Sequence, residues 1–137
     1  MESTVQTVPE QRSRTWPGWL MSGLVIVFML MDAVMHLTRI PPVVEAFNRL
    51  GYPLSAALPM AAVAMVSVLL YAWPRTAILG AILLTGYLGG AVAIHLRVGS
   101  NLFGEMLFPV YVGILMWGGL YVRDARVRSL IPIRRAE

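Results

Sequence analysis

The sequence predicts an all-α fold: a polytopic membrane four-helix bundle with a short interfacial helix between spans one and two. Continuous apolar runs occupy residues 19–37, 54–73, 76–96 and 102–122. Each is close to the ~20 residues that a helix needs to cross a hydrocarbon core about 30 Å thick. Hydrophobic residues make up 58% of the 137-residue chain and charged residues only 13%, against roughly 25% charged in a soluble domain. Mean hydropathy is +0.70. One small domain cannot enclose that much apolar surface, so lipid must solvate the rest. Finally, threading the chain up and down through these runs brings Asp32, His36, Arg39, Glu45, Arg49, His95, Arg97, Asn101 and Glu105 toward one face of the membrane. Backbone groups in lipid must be satisfied within the segment, which demands helices. The runs do not alternate apolar with polar residues, which argues against a barrel.

Residues 1–15 are polar and read as a disordered cytoplasmic tail, residues 16–123 as the four-span domain, and residues 124–137 as a basic cytoplasmic tail lying along headgroups. Trp16, Pro17 and Trp19 mark an interface, where amphipathic rings settle. The first run is too long for a signal-peptide core and no A-x-A-like site follows it, so span one is expected to stay uncleaved. Pro41-Pro42 stops that span. Residues 43–50 then place Val43, Val44, Phe47 and Leu50 on one stripe, which predicts a short amphipathic helix at the interface. Glu45 and Arg49 stand i,i+4 on it and are spaced to pair. Gly51 suits a left-handed cap and Pro53 opens span two.

Trp73-Pro74-Arg75 makes a tight turn into span three. There Gly86 and Gly90 form GxxxG, expected to pack within the bundle and also permitting a homodimer. Pro109 predicts a kink in span four that frees the carbonyl of Glu105. Asn101 suits the cap of that span.

With four spans, both tails and the turn between spans two and three share one side, which holds eight arginines; the other side holds Arg39, Arg49 and Arg97. The positive-inside rule places the termini in the cytoplasm of a cell (inner) membrane protein, and the polar cluster on the outer side. The formal charge is +4, carried by eleven Arg and no Lys, most of them flanking the spans. No basic stripe with interleaved aromatics appears, so no nucleic-acid partner is expected; the lipid bilayer is the partner of these arginines. The chain has no Cys, which removes thiol catalysis, disulfides and iron–sulfur ligation by this chain alone.

The candidate functional cluster is Asp32, His36, Arg39, His95, Arg97, Asn101 and Glu105. Asp32 and His36 share a helix face at i,i+4. Asp32 lies too deep to reach the headgroups, and intramembrane ionisable groups mark function by default. The bland alternative is a fully ion-paired set. Asp32, Glu45 and Glu105 would balance Arg39, Arg49 and Arg97, with the arginines at span ends snorkelling to the interface. The donor types would suit an N/O metal site, but no HExxH-like spacing supports one, and no metal is assigned. Ser22, Ser55, Ser67 and Ser100 lack a nucleophile elbow, so catalytic residues stay unassigned. The cytoplasmic halves of spans two to four offer only Ser67, Tyr71 and Thr76, too little for a continuous polar path. A pocket of Met, Phe and Tyr with a few polar groups suits an amphipathic molecule such as a quinone or lipid headgroup.

The chain resembles the DoxX-like family of small four-helix membrane proteins over residues 18–125. The resemblance rests on Asp32…His36, on Phe47-Asn48-Arg49-Leu50-Gly51-Tyr52-Pro53, on Gly86-Tyr87-Leu88-Gly89-Gly90-Ala91 followed by His95 and Arg97, and on Phe108-Pro109. It implies relatives in a thiosulfate:quinone oxidoreductase membrane subunit, in a mycobacterial membrane redox assembly and in an animal receptor chaperone. These functions differ, so three classes stay open. One is an accessory subunit of a membrane redox or envelope-stress system binding a quinone-like or lipid-like molecule, with membrane or redox protein partners. The others are a non-catalytic assembly factor and a membrane enzyme acting on a lipophilic substrate.

Overall fold

The structure, a computed structural model, describes residues 15–131. The expected tail over residues 1–15 therefore lies, but for Thr15, outside the described residues. Six helices follow in order: α1 (Trp16–Thr38), α2 (Pro41–Leu50), α3 (Ala57–Ala72), α4 (Ala77–Val98), α5 (Phe108–Arg123) and α6 (Ala125–Leu130). A 3-10 turn, Leu54–Ala56, leads into α3, and a π-helical turn, Leu102–Met106, precedes α5. Four stretches are long and apolar enough to cross a membrane: Trp16–Thr38, Leu54–Ala72, Ala77–Val98 and Leu102–Arg123.

The spans form a ring in which α1 and α4 each lie between α3 and α5. Their inward stripes recur at helical spacing: Val25, Met29 and Ala33 on α1; Ala61, Ala64, Val68 and Tyr71 on α3; Ala77, Ala81, Leu84 and Leu88 on α4; Val112, Met116 and Leu120 on α5. Many of these are alanine. Lipid is as apolar as a core, so burial alone drives no association there, and close backbone approach has to supply it. Glycine sets the tightest crossings. A Cβ added to Gly80 would lie 2.1 Å from the Tyr71 backbone nitrogen, where α4 crosses α3. One added to Gly119 would lie 2.8 Å from Ser22 Oγ, where α5 crosses α1.

The GxxxG expectation is corrected here. An added Cβ at Gly86, Gly89 or Gly90 meets nothing within 4 Å, so these glycines do not pack the bundle. Span four also differs from the expected single run. Its first turn is π-helical, the chain breaks at Leu107, and α5 starts with Pro109 in its opening turn. A proline there has no helical hydrogen bond to lose, so the predicted kink becomes a break. Pro42 suits the first residue of the interfacial helix; the helix begins one residue before it, at Pro41, because both prolines fit its first turn.

One end of the bundle is held by a buried polar knot. Tyr71 Oη lies 2.9 Å from both Ser22 Oγ and the Met116 carbonyl, and the Arg123 guanidinium sits 4.4 Å over the Trp19 ring. The segment after span four, read as a basic tail, turns at Asp124 into α6. The Asp124 carboxylate accepts the Arg126 backbone N–H at 2.9 Å and its guanidinium at 3.0 Å. Arg128 donates to the carbonyls of Tyr121 and Val122 at the end of α5, at 2.9 and 2.6 Å, where a cation also meets the negative end of the helix dipole.

Candidate functional site

The opposite end of the bundle is hollow. A cavity of about 750 Å³ opens among α1, α2, α3, α4 and the start of α5. It exists because α2 stands off the ring as a cover. Val43 and Phe47 bury against Ala57 and Met35, forming a second small core apart from the main one. Left-handed residues bound this cover: Arg39 with φ 48° and Gly51 with φ 71°. Gly51 closes α2 with its N–H on the Asn48 carbonyl, while Tyr52 N–H reaches the Phe47 carbonyl.

The walls are mostly apolar, and the polar groups fall into two stations. The first joins α1 to α4. Tyr87 Oη donates to Asp32 Oδ2 at 3.1 Å. His36 Nδ1 lies 2.8 Å from the Asp32 carbonyl and 3.6 Å from its carboxylate. A carbonyl only accepts, so Nδ1 carries a proton. Phe47 of the cover packs edge-on against the His36 ring, with centroids 5.7 Å apart.

The second station joins α4, α2 and the π-helical turn. Gly99, with φ 69°, reverses the chain after α4, and this brings Ser100 back to His95, whose Nδ1 lies 3.0 Å from Ser100 Oγ. Glu105 accepts from Arg49 of α2 at 2.9 Å. Tyr87 and His95 are eight residues apart on α4, so at 1.5 Å per residue the stations are about 12 Å apart along the helix.

Asp32, His36, His95 and Glu105 thus line one cavity. Arg39, Arg97 and Asn101 do not line it. Arg39 is exposed at the end of α1. Arg97 donates to the Leu50 carbonyl at 3.2 Å and so ties α2 to α4. Asn101 accepts the N–H groups of Phe103 and Gly104 at 3.1 Å, capping the π-helical turn. Arg97 and Asn101 thus brace elements around the cavity.

The i,i+4 reading of Glu45 with Arg49 is corrected: Arg49 reaches across to Glu105 instead, and Glu45 is exposed. Three residues outside the predicted set belong to the site: Tyr87, Ser100 and Arg49. For Tyr87 the signal was its i,i+8 register with His95. For Ser100 it was the glycine before it. Among the described residues, no three of His, Asp and Glu converge closely enough to hold a metal ion.

Comparison with known proteins adds the family. The model of the DoxX-like family matches residues 20–119, which takes in most of α1, all of α2 to α4 and most of α5. Neither the curated proteins nor the solved structures return a match. Four apolar spans and a family match over most of the chain establish that this membrane protein belongs to the DoxX-like family.

Proposed function

We propose that the cavity binds an amphipathic, quinone-like or lipid-like molecule, and that the protein serves as an accessory subunit of a membrane redox or envelope-stress system. One observation carries this reading. Asp32, His36, Tyr87, His95, Glu105 and Arg49, from four separate elements, all face a single apolar-walled cavity of about 750 Å³. That is the size and polarity of a small-molecule site. The apolar walls suit a ring or acyl chain, and the stations hold a headgroup. An acid with a histidine one helical turn away can accept or return a headgroup proton. The chain has no Cys, so any electrons travel through the bound molecule or a partner protein. The arginine distribution supports a cavity on the outer side of the cell (inner) membrane, with both termini cytoplasmic.

The test is mass spectrometry of the organic extract from detergent-purified protein, wild type beside Asp32→Asn and His95→Ala. A quinone or defined lipid retained by wild type and depleted in both variants is the expected result. Equal extracts from all three would refute the reading.

A second reading, an assembly factor for other membrane helices or a homodimer, draws on Gly86, Gly89 and Gly90 of α4, exposed glycines beside the cavity with nothing packed against them, where a neighbouring helix could approach closely. Crosslinks from this face to another chain, unaffected by Asp32→Asn, would favour it.

A further inference from the structure

The hydrogen-bond polarity of the deep station goes further than its size. His36 places its Nδ1 proton on the Asp32 carbonyl at 2.8 Å, and an imidazole carrying that single proton presents Nε2 as an acceptor. Tyr87 spends its one proton on Asp32 Oδ2 at 3.1 Å, which leaves its oxygen as an acceptor. The Asp32 carboxylate has roughly four lone-pair positions, and Tyr87 fills one. The station therefore offers acceptors from three side chains, and each of its own protons is already placed.

Elsewhere the cavity adds few donors. Apart from Tyr87 and the two histidines, the donor side chains lining it are Arg49 and Tyr52, on and just after α2. Arg49 is engaged by Glu105 at 2.9 Å. That pair cancels, so Asp32 sets the sign of the lining. An anionic headgroup at this station would be set beside the Asp32 carboxylate, which repels it.

We infer that the cavity selects a neutral amphiphile bearing free hydroxyl donors, so that it takes a quinol or polyol headgroup in preference to a quinone carbonyl or a phosphate. This rests on the proposed ligand-binding role of the cavity. A hydroquinone O–H supplies what Asp32 and His36 lack. A quinone carbonyl, itself only an acceptor, faces them with no proton between.

Calorimetric titration of the full-length protein in nanodiscs tests it with four probes: decyl-hydroquinone, the matching decyl-quinone, the hydroquinone dimethyl ether and 1-monodecanoylglycerol. The expected result is hydroquinone binding at least about tenfold tighter than quinone or ether, the worth of one hydrogen bond to a charged acceptor. Asp32→Asn, which adds an N–H donor, narrows that ratio to within about threefold. Unchanged ether binding in the variant shows that its cavity is intact. Monoacylglycerol binding as tightly as hydroquinone assigns a polyol headgroup, and weak monoacylglycerol binding assigns a phenolic one; both support donor selection. Equal or tighter quinone binding overturns donor selection while the ligand site stands. Absence of binding by all four probes overturns the ligand site and, with it, the selection.

Discussion

Gly80→Ala and Gly86→Ala are one methyl each, on one helix, and should behave oppositely. At Gly80 the new Cβ falls 2.1 Å from the Tyr71 nitrogen, 2.5 Å from its Cα and 2.7 Å from the Leu70 carbonyl carbon. All three are backbone atoms, so no side chain can rotate away. Ordinary contact begins near 3.4 Å, so α3 and α4 must separate by about 1.3 Å. A gap of 0.5–1 Å already forfeits roughly a quarter to a half of each dispersion contact, and the loss runs along the whole crossing. The expected cost is about 3 kcal/mol, the upper end of ordinary overpacking. At Gly86 the Cβ meets open space, and replacing glycine in a helix interior gains roughly 0.5–1 kcal/mol. The assay is equilibrium unfolding in mixed micelles with rising SDS, read by tryptophan fluorescence. Wild type should fall between the variants, nearer Gly86→Ala. A Gly86→Ala loss as large as that of Gly80→Ala would refute the reasoning, because the open face of α4 would then be a packed one.

Other expectations follow from the same geometry. Tyr71→Phe should cost about 1 kcal/mol in the same assay, the scale of a hydrogen bond between membrane helices, since it leaves Ser22 and Met116 without the phenol. The Arg49–Glu105 pair, with side chains 57% and 36% exposed, should give only a small coupling in a double-mutant cycle, one that weakens as salt rises. The Arg126 guanidinium holds the Asp124 carboxyl below its ordinary range, so its cap on α6 is fully present above the ordinary carboxylate pKa and fades as pH falls through the depressed value. Protection factors of the amides over residues 125–130, which remove the intrinsic slowing of exchange in acid, should fall at low pH in wild type and show no such added step in Asp124→Asn.

The spans were legible because lipid crossing needs a length and a composition, and both are local properties of sequence. Which face of each span turns inward was less legible. All faces are apolar, so the marker is size, as Ala61, Ala64, Ala77 and Ala81 show. GxxxG misled for that reason: Gly80, outside any such motif, makes the closest approach, while Gly86 and Gly90 border the cavity. The site was half legible. Asp32 and His36 sit one turn apart on one helix, and periodicity alone places them together. Arg49 with Glu105, 56 residues apart, meets only because α2 folds back over the ring. The nearer partner, Glu45, looked better on the helix surface, but an exposed i,i+4 pair is worth only a few tenths of a kcal/mol. The break before α5 placed Glu105 where Arg49 could reach it.

The central claim is that the cavity holds a molecule, and native mass spectrometry of protein released directly from membranes tests it most simply. Ala91 lines the cavity wall between the two stations, so Ala91→Trp should fill the space and leave Asp32, His36, His95 and Glu105 unchanged. The account predicts a defined adduct on wild type that is missing from Ala91→Trp, with both proteins folded. The same adduct on both, or a bare chain in both, would contradict it.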